Sequence, residues 1–270
     1  MARKTSFYYS FLVLPPEQRR AIIAVWDVCR AIDDAVDEHP VAGAEAGPTA
    51  VAFWRTELAR CFGGDAPATP QGRRLQPFIS QFELPRQAFE DVVDGVAMDL
   101  DTTRYQTFAE LFEYCRRVAS AVGLICIRIF GCRGDRAREY ALNLGVALQL
   151  TNVLRDVRDD GDRGRLYFPL DDLAACGCTE DELRAARLTA PVRRLLEFEC
   201  ARAREFYRRA AAALPPEDRR RLVAAEIMRA VYFETLRRIE RAGYDVFSAR
   251  VRVPRPRQAA IALTQWLWPF

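Results

Sequence analysis

An all-α fold is what this sequence predicts, and three observations carry the prediction. Apolar residues return at steps of three and four through most of the chain, the spacing of one helix face. Almost no stretch alternates apolar and polar residues with the period of two that a half-buried strand needs. Residues 40–50 and 63–72, rich in Ala, Gly and Pro, read as loops between helix-length blocks. Neither loop is long enough to link domains, and no fixed-period repeat is visible, so residues 1–270 read as one domain.

Taken in order, an apolar segment (Phe7–Leu14) runs into Pro15-Pro16 and then a strong helix over 17–38. Helices are expected at 51–62, 73–82, 86–100 and 107–131, the last broken near Gly131. Asp94 and Asp99 close the 86–100 helix and read as ordinary surface acids. In the 107–131 helix, Tyr114, Val118, Ala121 and Ile125 form a stripe among small residues (Ala119, Ser120, Gly123) that allow close helix contact or leave room for a ligand. A long helix over 135–160 follows, then a turn at Asp171–Leu173 and helices near 179–185, 191–213, 217–242 and 256–268. The arginines of 202–221 read as a solvated helix face, and the terminal helix with Trp266 and Trp268 as docked on the core or lying at a bilayer interface.

Bulk properties exclude several functions. A net charge of +3 with interleaved signs gives no basic face, so no nucleic-acid partner is expected. Eight cysteines, mostly inside apolar helical patterns, read as reduced thiols of a cytoplasmic protein. Cys176-Gly-Cys178 has no second pair to complete a metal site, and the sole histidine, His39, argues against a zinc centre or a His-based triad. No secretory signal and no run of spanning length is present; peripheral contact at the inner membrane face is compatible with the terminal tryptophans.

The chemistry concentrates on two helices. On the first, Trp26, Arg30, Asp33 and Asp37 lie at steps of four, three and four; on the second, Gly145, Gln149, Asn152, Asp156 and Asp160 lie at steps of four, three, four and four. Each set forms a single stripe on an otherwise apolar helix. Paired carboxylates at i and i+4 repel, so a buried stripe ending in two of them needs positive partners. Arg163 and Arg165 follow at once, then Tyr167. Four carboxylates facing one another across a pocket suit hard divalent cations, with Mg²⁺ the natural candidate and Mn²⁺ a substitute.

Longer motifs now carry a resemblance. Tyr114-Cys-Arg-Arg-Val-Ala-Ser-Ala-Val-Gly123 and the run from Leu144-Gly145 through Gln149, Asn152, Arg155-Asp156, Asp160 and Arg165-Leu-Tyr167-Phe-Pro169 resemble the two signature segments of squalene and phytoene synthases. Cys29-Arg30-Ala-Ile-Asp33-Asp34-Ala-Val-Asp37 resembles that family's first aspartate-rich motif. The likeness runs from Ser6-Phe7-Tyr8-Tyr9 to Tyr244-Asp245-Val246-Phe247, nearly the whole chain.

The resemblance implies an isoprenoid synthase fold, a single helical bundle around a central apolar cavity, and Mg²⁺-dependent head-to-head (1′–1) condensation of two prenyl diphosphates. It implies that Asp33, Asp37, Asp156 and Asp160 hold metal, and that Arg30, Gln149, Asn152, Arg165 and Tyr167 engage diphosphate. Ser6, Phe7, Tyr114 and Tyr232 would line the pocket near the reacting ends, the aromatic three as cation stabilisers. Paired arginines are common in relatives after the Tyr-Asp-Val-Phe-like segment; here Ala249 precedes Arg250, which puts a diphosphate contact from that segment in question. The opening segment is most similar to bacterial presqualene diphosphate synthases of hopanoid pathways. The expected substrate is therefore two farnesyl diphosphates, with NADPH required only if the product is reduced to squalene, and other isoprenoid enzymes downstream as partners. Phytoene or dehydrosqualene synthesis is the alternative within the family. A non-catalytic scaffold on the same fold would have eroded aspartates, and a terpene cyclase would use a single prenyl diphosphate.

Overall fold

A computed structural model of the chain describes residues 8–37 and 46–267, with side chains from 10–36 and 47–267. Among them the elements are α1 (Tyr8–Leu12), α2 (Pro16–Asp37), α3 (Ala46–Gly63), α4 (Pro70–Phe82), α5 (Arg86–Asp101), α6 (Phe108–Cys115), a π turn (Arg116–Ser120) and α7 (Ala121–Ile129). The second half comprises α8 (Asp135–Asp162), α9 (Leu170–Ala175), α10 (Glu180–Arg184), α11 (Ala190–Ala213), a 3-10 turn (Pro216–Asp218), α12 (Val223–Arg241) and α13 (Arg255–Leu267). No strand occurs among the described residues; one isolated bridge pairs Arg104 with Leu166.

Local chemistry sets many of these boundaries. Thr69, Thr107 and Thr189 each accept a backbone N–H at a helix start, and Thr179 and Glu182 form a reciprocal capping box at α10. Helix α3 begins inside the stretch expected to be loop, because Pro48 falls in its first turn, where a missing N–H costs nothing. Two further departures have causes in the chain. Pro215-Pro216 hold the segment before α12 in a 3-10 turn, so the helix expected from 217 begins at Val223. The 107–131 helix is interrupted by the π turn, which inserts a residue where α5, α7 and α8 crowd together.

Glycines make that crowding feasible. A Cβ on Gly145 of α8 would lie 2.4 Å from the Ser120 Cα, and one on Gly95 of α5 would lie 2.7 Å from the Arg117 and Val118 side chains. The Ser120 hydroxyl donates to the Leu142 carbonyl at 2.7 Å, stitching the π turn to α8.

Helix α8 is the axis of the fold. It is apolar on most sides (Tyr140, Ala141, Leu144, Ala147, Leu150, Val153, Leu154 and Val157 are buried) and lies against α6, the π turn, α7, α10, α11 and α12. Helix α2 lies against α3, α4, α5 and α7, so α7 is a neighbour of both aspartate-bearing helices. One contiguous core runs from Phe11 to Phe247, and a small satellite of Ile227, Val231 and Ala262 joins α12 to α13. Helix α13 thus docks, yet it leaves Leu263, Trp266 and Leu267 about half exposed. No described helix is long and apolar enough to cross a membrane.

Substituting Gly145→Ala is expected to destabilise the protein by about 2–3 kcal/mol, because the clash is with backbone that cannot rotate away. Chemical denaturation measures it; a cost under about 0.5 kcal/mol, the range of a surface change, would mean the π turn is not locked against α8.

Candidate active site

The polar stripe of α8 emerges from this core toward its C-terminal end. Asn152 donates from Nδ2 to Gln149 Oε1 at 3.2 Å, while its own Oδ1 is buried without a hydrogen-bond partner. One turn on, Asp156 is gripped by Arg155, whose Nε donates to Oδ1 at 2.9 Å and whose Nη2 pairs with Oδ2. From the other side Arg250 donates to Asp156 at 3.1 Å and reaches Asp159 at 3.5 Å. The segment after Tyr244-Asp245-Val246-Phe247 therefore does arrive at the site through Arg250, without a second arginine.

Asp160 lacks so close a cation. Burial, then the neighbouring Asp156 charge, pushes its carboxyl up to about 7, against the opposing pull of Arg163 and Arg165. Arg165 is brought back by a reversal at Gly164 (φ 76°), after which its N–H donates to the Asp160 carbonyl at 3.0 Å. Leu166 then donates to the Thr103 carbonyl at 3.0 Å, fixing the chain so that Tyr167 turns inward.

Tyr167 meets a residue that the sequence reading missed. Its hydroxyl donates to Asp99 Oδ1 at 3.0 Å, and the Tyr114 hydroxyl donates to Asp99 Oδ2 at 3.0 Å. The two rings stack at 5.1 Å, with Tyr105 against both at 5.7 and 6.0 Å. Burial and the Asp99 charge hold the Tyr114 and Tyr167 phenols well above their ordinary range, so both stay protonated. Asp99 is thus no surface acid, whereas Asp94 pairs with Arg55 and Arg117. Its position was legible: Val92, Val96 and Asp99 follow at steps of four and three along the buried face of α5. On the remaining side Tyr232 of α12 interacts with Arg155 and Asn152; burial pushes its phenol up and Arg155 opposes.

The first aspartate motif is partly in view. Burial, then the nearby Cys126 and Asp33, pushes the Cys29 thiol up to about 12, which places the Asp33 side of α2 toward α7. Arg30 pairs instead with Asp34 at 2.9 Å and is 59% exposed, so the expected diphosphate ligand here engages an exposed neighbour on its own helix. Asp37 closes α2, but its side chain, like Ser6 and Phe7, lies outside the described residues. The structure gathers Gln149, Asn152, Asp156, Asp160, Arg165, Tyr167, Tyr114 and Tyr232 into one continuous region. It does not show Asp33 within it.

The donor chemistry fits a hydrated divalent cation better than an enclosed one. Among the described residues no three His, Cys, Asp or Glu side chains converge to grip an ion alone. Asp156 and Asp160 strain against each other on one helix face, and the Asn152 oxygen above them lacks a partner. Mg²⁺ held by one or two carboxylates, waters and substrate oxygens matches that set.

The fold places this arrangement in a class, the isoprenoid synthases. A crystal structure of a dehydrosqualene synthase in complex with a ligand superposes with a TM-score of 0.83 at 26% identity, over 96% of this chain and 90% of that one. Squalene synthase HpnC from Alicyclobacillus acidocaldarius superposes with a TM-score of 0.79 at 32% identity, over 88% and 89%. Within that class the chain belongs to the squalene/phytoene synthase family, whose model matches residues 1–257. It is 38% identical over 265 residues to the phytoene synthase of Arthrospira platensis, covering 92% of this chain and 84% of that one. The family comprises head-to-head prenyltransferases.

The raised Asp160 carboxyl fixes the sign of a pH effect. Because its folded value exceeds the ordinary 3.8, stability in metal-free buffer is fullest below that value and is lost as pH rises through about 7. The loss is expected to be about 1–2 kcal/mol after allowance for solvent screening. Asp160→Asn is expected to flatten this profile and to shrink the thermal shift produced by Mg²⁺. An unchanged pH profile in that variant would remove Asp160 from the account.

Proposed function

We propose that this protein condenses two identical prenyl diphosphates head to head, using Mg²⁺, in the manner of a phytoene synthase. The observation that carries the reading is the α8 stripe, Gln149, Asn152, Asp156 and Asp160, ending beneath Arg165 and beside a wall of tyrosines. Such a site has an anion-binding end and an aromatic end, the two requirements of ionising an allylic diphosphate.

The chemistry follows from those ends. Bound Mg²⁺, held by Asp156 and Asp160 and from the first motif by Asp33 and Asp37, would neutralise the oxygens of the leaving diphosphate. Arg165, and Arg250 once drawn from Asp156, donate to the same oxygens, lowering the cost of charge as the C1–O bond breaks and its electron pair leaves with oxygen. The allylic cation is faced by Tyr114, Tyr167 and Tyr232, whose burial keeps water from that side. The double bond of the second substrate attacks C1, and loss of a proton closes a cyclopropane. The departed diphosphate is the acceptor we assign to that proton, since the Tyr114 and Tyr167 phenols, held protonated by burial, are poor ones.

Two observations divide the choice of chain length. Curated relatives named phytoene synthase, among them that of Arthrospira platensis, favour two C20 substrates and phytoene. The 32% identity to squalene synthase HpnC, with the similarity of the opening segment, supports the second reading, two farnesyl diphosphates giving presqualene diphosphate. NADPH enters only if that intermediate is reduced. The half-exposed Leu263, Trp266 and Leu267 of α13, with arginines at 252, 255 and 257 close by in sequence, support contact with a membrane surface that would supply such lipids.

Purified protein incubated with geranylgeranyl or farnesyl diphosphate and Mg²⁺, with and without NADPH, tests the proposal by product identification. Phytoene from the C20 substrate without NADPH is the expected result, with Asp156→Asn lowering kcat by about 10²–10³-fold. Turnover of the C15 substrate alone establishes the second reading, and turnover of neither points to a non-catalytic role.

A further inference from the structure

Asp99 is an acidic residue at this site that belongs to neither aspartate motif. It projects from the last turn of α5, and its two carboxylate oxygens each accept one tyrosine hydroxyl, Tyr167 at 3.0 Å and Tyr114 at 3.0 Å. The hydroxyls also lie 3.3 Å from one another, but a phenol has one proton, and a carboxylate at the shorter distance wins it. Both phenols have therefore committed their protons to Asp99 and face everything else as acceptors, through their oxygen lone pairs. Burial and the Asp99 charge keep them protonated, so the arrangement persists across the neutral range. Tyr105 backs both rings, and its buried hydroxyl, within electrostatic reach of Asp99 and Arg165, has no hydrogen-bond partner. The result is a stacked aromatic wall whose polar edge is fixed in one sense, next to Asp160 and Arg165.

We propose that Asp99 is a positioning residue for the prenyl-transfer step: by taking the hydroxyl protons of Tyr114 and Tyr167, it holds their oxygen lone pairs toward the carbocation. Resting on the function proposed above, this assigns a role to a carboxylate outside both aspartate motifs. A phenol free to rotate could point its O–H dipole at the cation and repel it. Two phenols tethered to one carboxylate cannot, and the reorganisation is avoided before the reaction begins. The same tether joins α5 to the 165–167 segment, so a purely structural role has to be separated from this one.

The test uses the full chain with Mg²⁺ and whichever prenyl diphosphate the wild type consumes. Asp99→Asn preserves shape but donates through its amide, forcing one phenol to turn. It is expected to lower kcat by about 10²-fold with KM within about three-fold, and Asp99→Glu to regain about ten-fold of that loss. A readout independent of turnover is calorimetric binding of farnesyl-trimethylammonium against its neutral carbon isostere, with Mg²⁺ and inorganic diphosphate present. The wild type should prefer the ammonium by about ten-fold and Asp99→Asn should not distinguish the pair. Wild-type kcat in Asp99→Asn, a loss confined to KM, or an unchanged ammonium preference overturns the role. Should Asp99→Asn fail to fold, the Tyr114→Phe/Tyr167→Phe double variant takes its place, and retention of the ammonium preference there is equally fatal. A wild type that consumes neither diphosphate undoes the proposed function instead, whereas active wild type and equally active Asp99→Asn undo only the part given to Asp99.

Discussion

Two like charges one helical turn apart, on a helix otherwise sunk in hydrocarbon, are the constraint around which this protein is arranged. Asp156 and Asp160 cannot both be comfortable as anions where water is scarce, and the fold answers them unequally. Asp156 receives two guanidinium groups, from Arg155 beside it and from Arg250 at the far end of the chain. Asp160 receives none at bonding distance among the described residues, and burial holds its carboxyl up at about 7. That imbalance is tolerable in a protein that meets a cation and an anion together. It would be a defect in one built for stability alone.

The rest of α8 bears the cost. Its apolar faces bury against six neighbouring elements, and two of the polar groups it carries inside, Thr151 and Tyr140, are paired. Thr151 shares a 2.9 Å hydrogen bond with Tyr207 of α11, and Tyr140 donates at 2.7 Å to the buried Glu226 of α12, itself held by Arg229. Glu199 of α11 is bound by Arg202, which also grips Asp172. These clusters satisfy charge at the interfaces of α8's neighbours and leave its final turns as the place where satisfaction is incomplete. Glycines at 95 and 145 add the close approach that lets the π turn pack there, aiming Tyr114 at Asp99.

How much was legible depends on range along the chain. The α8 stripe could be read directly, since helical periodicity alone puts Gln149, Asn152, Asp156 and Asp160 on one side. So could its tether, because Gly164 and Arg165 follow within a few residues. Arg30 shows the limit of the same logic. It shares a stripe with Asp33, yet Asp34 lies four residues on, and an exposed arginine takes the partner within reach. Asp99 was passed over because its meaning depends on Tyr114 and on Tyr167, fifteen and sixty-eight residues away. The count of arginines in the motif does not predict the role of Arg250, because one guanidinium spans ninety-four residues to reach Asp156.

The sequence by itself determined the helical class, the acidic stripes and the family motifs, because each is a pattern within a few turns of chain, where spacing and geometry are the same thing. Only the tertiary structure decided which charges are paired, which tyrosines share a carboxylate and which arginine turns outward. Those outcomes depend on desolvation and on distances between segments remote in sequence, and neither quantity is encoded in any local window.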